Sequence, residues 1–243
     1  MNDDRRYLRL LVSDDPIAAE PVERCTQYAA ACPDCPGSRL GVLEPLVGTT
    51  KEACAFSTAH LASRQPIPLA WGSFGVALVR RGVVVRQRID SDGHATSIDA
   101  AGPGCLLPFE GDAHGYAVGD VIVCLCPRDT LDRALRGATV GQDLVTLHRT
   151  ALARVERMTE ARGASSGLRK VARCLVALAE TLSPPRVRDD LPAGFQQRDL
   201  GALIGMRHES VCRALGVLER EGLLGRSGAG SIERLSLDGL RAV

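Results

Sequence analysis

A chain of 243 residues holds one large domain or two modest ones, and 45% hydrophobic residues with 24% charged ones argue for packed cores over a disordered polymer. The formal net charge of +1 gives no bulk sign of a nucleic-acid partner, and the last 49 residues, with seven arginines against six acids, are no more basic. No stretch approaches the roughly 20 apolar residues that span a bilayer, and the apolar patch at residues 8–12 is too short for a signal peptide. A cytoplasmic protein without membrane contact is expected. Nine cysteines then point to metal binding or redox chemistry rather than to a disulfide scaffold.

In chain order, residues 1–40 are irregular and hold Cys25, Cys32 and Cys35. Residues 41–136 carry short β-rich runs at 75–79, 83–89 and 121–126, with turn chemistry at Arg81-Gly82, Asp92-Gly93 and Pro103-Gly104. Many short strands with spaced turns predict a sandwich or jelly-roll barrel. The period then changes: Leu144, Leu147, Ala151, Val155 and Met158 recur at three- and four-residue steps, with Arg149, Arg154, Glu156 and Arg157 between them. This predicts an amphipathic helix within 137–163 whose narrow stripe faces a partner. A second helix is predicted over 168–182.

The last part, within 164–243, forms a separate unit. Residues 198–204 read as a short helix with Leu200, Leu203 and Ile204 on its apolar face, and Gly205 supplies the turn. A second helix is predicted from His208 to Glu221. Val211, Ala214, Leu215 and Leu218 share one of its faces, and Glu209, Cys212 and Arg213 lie roughly opposite. Two short helices about a glycine turn make a helix-turn-helix. Residues 223–224 and 232–237, separated by Ser227-Gly-Ala-Gly230, are expected to form a hairpin wing. The string His208-Glu209-x-x-Cys212 looks like a zinc-protease HExxH but lacks its second histidine. No coherent nucleophile–base pair is present, so an enzyme is not expected.

The uninterrupted run from Gln197 to Gly222 resembles the C-terminal signature of the CRP/FNR transcription regulators, the FNR branch most closely. The resemblance extends more loosely to the whole chain and implies an α+β fold: an N-terminal cyclic-nucleotide-binding-like β-roll, a long dimerisation helix and a C-terminal winged helix-turn-helix. It implies a homodimer that binds a near-palindromic operator in double-stranded DNA and works with RNA polymerase. The family frame falls on Glu209-Ser210-Val211-Cys212-Arg213. Arg213 would donate to guanine O6 and N7, and Glu209 would accept from a cytosine amine. Arg207, His208, Ser210 and Cys212 complete the expected DNA-contacting set. Cys212 stands where the FNR pattern has serine, and Arg207 where the family has an N-capping threonine; Arg207 is suited to reach a phosphate.

Residues 104–116 contain no Arg or Lys to pair with a cyclic phosphate, so cAMP is not the expected ligand. FNR-type sensors hold a [4Fe–4S] cluster with an N-terminal cysteine group and one cysteine from the roll. Cys32-Pro-Asp-Cys35 matches the centre of that group, and the string from Val123 to Asp132 places the distant ligand on Cys124. The third N-terminal position falls on Gly41, so Cys25 is the expected substitute; Cys54, Cys105 and Cys126 compete for the fourth place. The implied signal is oxygen, redox state or nitric oxide. Zinc, a thiol switch, haem or another small molecule are the alternatives.

Overall fold

A computed structural model describes residues 23–24, 56–108, 114–136, 140–182, 191, 194–227 and 231–243. The first strand, β1 (Glu23–Arg24), is followed by β2 (Ser57–Leu61), β3 (Phe74–Ile89), β4 (Ala95–Ala101), β5 (Leu106–Pro108) and β6 (His114–Pro127). They form one antiparallel sheet in the order β1-β2-β6-β3-β4, with β5 also on β3. Helices α1 (Arg128–Leu135), α2 (Val140–Gly163) and α3 (Gly167–Leu182) come next. The chain then forms α4 (Gln197–Ile204), α5 (His208–Arg220), the hairpin β7 (Gly225–Arg226) and β8 (Ile232–Glu233), and α6 (Leu237–Ala242).

The roll and the helical unit follow the expected order, with three corrections. Asp92-Gly93 and Pro103-Gly104 are turns, but β3 runs straight through Arg81-Gly82. Its pairing with β6 slips on either side of Arg81, and Gly82 has φ +77°. Inward-facing side chains fall on Ala77 and Val79 before Gly82 and on Val84 after it, so the alternation changes parity there. That is a β-bulge, which uses the same left-handed glycine as a turn without reversing the chain. A Cβ at Gly82 would lie 2.4 Å from the Asp120 carbonyl oxygen. Second, Arg128–Leu135 is helical where no element was expected. Third, the second wing strand ends at Glu233, and α6 begins at Leu237.

Two cores result. One fills the roll with Trp71, Val79, Val84, Leu107, Val121, Val123 and Leu125. The other starts on the outer face of the same sheet, at Val83, Val85, Tyr116 and Val118, and continues without a break through α2, α3, α4 and α5. The helical unit is therefore seated on the roll. The two backbones approach so closely that a Cβ at Gly194, whose φ is +98°, would lie 2.8 Å from the Gly119 nitrogen.

The long helix departs from its predicted facing. Met158 is buried against α3, beside Cys174, and Arg154, expected on the polar side, is 6% exposed. Among its described side chains the exposed large apolar ones are Val145 (58%) and Leu152 (47%), seven residues apart and so on one face; the side chains of Leu144 and Leu147 lie outside the description. No described helix is long and apolar enough to cross a membrane.

Substituting Gly82 with alanine forces a side chain into both a left-handed conformation and the Asp120 carbonyl. The expected cost is roughly 1–3 kcal/mol, read as a lowered urea midpoint with an unchanged slope.

Candidate nucleic-acid interface and its anchorage

Helix α4 ends at Gly205, whose φ of +67° lets the chain leave sharply while its N–H caps the Gly201 carbonyl. Helix α5 starts three residues later, at His208. Arg207 sits at its N-cap in extended conformation and makes no side-chain cap, since a guanidinium has no acceptor to offer the helix N–H groups. Val211, Ala214, Leu215 and Leu218 are buried, which turns the opposite face of α5 outward. Arg207, His208, Glu209 and Arg213 are exposed, and Ser210 and Cys212 are half-buried. Arg213 Nη2 donates to Ser210 Oγ at 3.3 Å, which steadies the guanidinium over the first turn. The Cys212 thiol turns back on α4, 2.7 Å from Gln197 Oε1 and 3.6 Å from the His208 ring nitrogens. The structure thus brings five of the six expected residues onto one outward surface and directs the thiol of the sixth to the helix–helix junction.

The wing is tied to the same helix. Arg226 on β7 donates through both Nε and Nη2 to Glu219 Oε2 on α5, and this partner holds the Glu219 carboxyl below its ordinary range.

Sequence reasoning gave no role to the residues that fix this unit to the roll. Asp199, on α4, is 1% exposed. Its carboxylate accepts from Arg64 Nη1 and Nη2, the latter at 2.7 Å, from Tyr116 Oη at 2.8 Å and from the Gln196 backbone N–H at 2.8 Å. Arg64 and Tyr116 belong to the roll, and Arg64 Nη2 also reaches the Gly194 carbonyl at 3.1 Å. Asp199 therefore caps its own helix and anchors it to the roll with one side chain. The other end of α4 is held from α2, where Arg162 Nε donates to the Leu203 carbonyl at 2.7 Å while its Nη2 meets the Ser97 and Ile98 carbonyls of β4. Burial among carbonyls, largest of the causes, lowers the Arg162 pKa. The Gln196-x-x-Asp199 spacing, that of a capping box, was the one sequence signal for this anchor.

The expected sensor cysteines divide by what the structure describes. Cys25, Cys32, Cys35 and Cys54 lie outside the described residues. Cys124 is buried on β6 and Cys126 beside it is fully buried. Neither points into the roll, whose β6 contribution is Ala117, Val121, Val123 and Leu125; both face the other side of the sheet, as alternation requires. Glu23 pairs with Thr58, which pairs with Cys124, and Arg24 pairs with Ser57. No three His, Cys, Asp or Glu side chains among the described residues group as a metal site.

Comparison with known proteins bears on both halves. Residues 169–243 match the family model of the Crp-like helix-turn-helix domain. No curated protein matches. Among solved structures, FixK2 from Bradyrhizobium japonicum is 23% identical, with a TM-score of 0.64, over 77% of this chain and 96% of that one. A CRP/FNR-family transcriptional regulator from Thermus thermophilus is also 23% identical, with a TM-score of 0.55, over 76% of this chain and 96% of that one. A cyclic-nucleotide-binding-domain protein from Listeria monocytogenes is 14% identical, with a TM-score of 0.61, over 83% and 97%. The fold is that of the CRP/FNR regulators, an antiparallel roll like the cyclic-nucleotide-binding domain followed by helices and a Crp-like helix-turn-helix.

Replacing Arg64 with alanine leaves the Asp199 carboxylate buried without its cation. Loss of one partner of a buried pair costs about 3–5 kcal/mol. The expected result is faster amide exchange in α4 than in the unsubstituted chain, with the roll interior unchanged, measured by mass spectrometry; equal protection of α4 in the two chains would show that the anchor is dispensable.

Proposed function

We propose that this chain is a homodimeric, sequence-specific DNA-binding transcription regulator of the CRP/FNR type. The observation that carries the reading is the outward placement of Glu209 and Arg213 on the second helix of a unit that matches the Crp-like family model. A carboxylate that accepts from a cytosine amine and a guanidinium that donates twice to guanine form a base-reading pair. Arg207 and His208, at the N-terminal end of the same helix, are placed for backbone phosphate. The exposed Val145 and Leu152 support α2 as the pairing helix. Two copies joined there set their recognition helices about 34 Å apart, one turn of DNA, so each reads half of a near-palindrome. Recruitment of RNA polymerase at the bound operator completes the reading.

For the input we propose a [4Fe–4S] cluster held by Cys25, Cys32, Cys35 and Cys124. The register supports this set: Cys25 directly follows Arg24, the end of β1, and β1 lies two strands from β6, a span of roughly 10 Å. Chain connectivity thus begins the cysteine segment beside the strand that carries Cys124. When bound, such a cluster supplies a centre labile to oxygen and nitric oxide, and four thiolates complete its iron coordination. This chain's part is to present thiols on the outer side of the sheet, apart from the apolar filling of the roll.

Selection of duplexes from a random pool with the full chain is expected to return a near-palindrome. Arg213→Ala is then expected to cost about 1–3 kcal/mol on that duplex and to relax preference at one base pair of each half; a chain that retains no preferred sequence overturns the regulator reading. Protein prepared without oxygen is expected to carry iron and sulfide, to lose both on Cys32→Ser or Cys124→Ser and to keep them on Cys126→Ser. Absence of iron and sulfide from that preparation overturns the cluster and leaves a zinc, thiol or small-molecule signal. Operator binding indifferent to oxygen overturns oxygen as the input.

A further inference from the structure

Three donor groups from the two helices of the helix-turn-helix converge on one point. His208 and Cys212 stand four residues apart on α5 and so share a face of the helix. The Cys212 sulfur lies 3.6 Å from both ring nitrogens of His208 and 2.7 Å from Gln197 Oε1 on α4. Among the described cysteines Cys212 alone is not buried. Cys105, Cys124, Cys126 and Cys174 are enclosed, and burial pushes the Cys174 thiol up to about 12. His208 is exposed, and Cys212 and Gln197 are half-buried, so the cluster is open to water. Arg226, the cation that feels the Cys212 sulfur, is already paired with Glu219.

A thiol and an imidazole at this separation match one edge of a metal tetrahedron. Zinc bonds sulfur at about 2.3 Å and imidazole nitrogen at about 2.0 Å, so tetrahedral geometry sets the two donor atoms about 3.5 Å apart. The observed 3.6 Å is therefore reached without moving the helix backbone. Rotation of the His208 ring about its own side-chain bonds aims one nitrogen at the metal. Gln197 Oε1, now in a hydrogen bond with the thiol, has to withdraw by roughly 1 Å once a metal stands between them. The donor set also selects among cations. A thiolate with an imidazole suits zinc, whereas magnesium and calcium take oxygen ligands.

We propose that Cys212, His208 and Gln197 form a site for a zinc-class divalent cation on the helix-turn-helix. Cys212 and His208 are its principal ligands, the Gln197 carbonyl is a further oxygen donor, and water fills the fourth position. Binding replaces the thiol proton, which passes to solvent, and takes His208 as the neutral ring. The metal joins α4 to α5 across the turn at Gly205, a link between the two helices that lies apart from their apolar packing. It also draws the His208 ring toward the sulfur and away from backbone phosphate. That competition between zinc and duplex for one side chain rests on the DNA reading above, whereas the binding itself does not.

The test is the rate at which iodoacetamide alkylates Cys212 in the full chain, prepared without oxygen. Mass spectrometry of the tryptic peptide 208–213 reads that rate alone, because the peptide holds no other cysteine. Zinc is expected to slow alkylation, with a midpoint concentration that reports the affinity, and magnesium is expected to leave the rate unchanged. His208→Ala and Gln197→Ala are each expected to raise the zinc midpoint about tenfold or more. Both side chains reach solvent, so both variants are expected to keep the circular dichroism of the unsubstituted chain. Equal rates with and without zinc, equal protection by magnesium, or an unshifted midpoint in either variant overturns the proposal. Duplex binding measured without zinc on the unsubstituted chain separates the two readings: DNA recognition in a chain whose Cys212 zinc does not protect sinks only this one.

Discussion

A carboxylate taken almost wholly out of water holds the two halves of this molecule in register. Asp199 could not be buried at 1% exposure without strong donors on every side, and those donors come from both halves: Arg64 and Tyr116 from the roll, the Gln196 N–H from its own helix. Each donor alone is modest, but the set is mutually required, because removing one leaves a desolvated charge for the rest to carry. The position of α4, and through the Gly205 turn that of α5, therefore depends on where Arg64 stands in the turn after β2.

Packing extends the same constraint. The outer face of the sheet at Val83, Val85, Tyr116 and Val118 belongs to one continuous apolar cluster with the helices, so a shift of the sheet cannot be absorbed locally in a close-packed interior. The β-bulge at Gly82 serves this arrangement. By changing parity, it lets β3 present Ala77 and Val79 to the roll interior at one end and Val83 and Val85 to the helices at the other. Without it, the strand would offer the same face to the same layer along its whole length.

The architecture was legible where it rests on periodicity and punctuation. Two helices with opposite apolar and polar faces, a glycine between them and a Gly-rich hairpin behind them were readable from residues 197–237, and the structure places Arg213 and Glu209 outward as that pattern requires. Turns at Gly93 and Gly104 were likewise readable. What escaped depends on contacts distant in sequence. Gly82 signals a left-handed backbone but does not say whether the chain reverses or bulges. Arg154 lies among charged neighbours in a helical pattern, and only its meeting with Asp99, 55 residues away, explains its burial. Arg64 and Asp199 are 135 residues apart; neither carries a local mark of the other. The long helix shows the limit of periodicity most clearly, since Met158, at the end of its narrow stripe, packs into the molecule's own core, while the exposed Val145 and Leu152 lie off that stripe.

The choice of cation in these joints has a consequence of its own. Arg64, Arg154 and Arg162 make the described ionic and charge-assisted contacts that bind the long helix and the C-terminal unit to the roll, and a guanidinium keeps its proton at every pH at which proteins work. No histidine takes part in the hydrogen bonds described there. The guanidinium donors of these described joints thus stay charged through a change of a unit on either side of pH 7, and the placement they impose is kept.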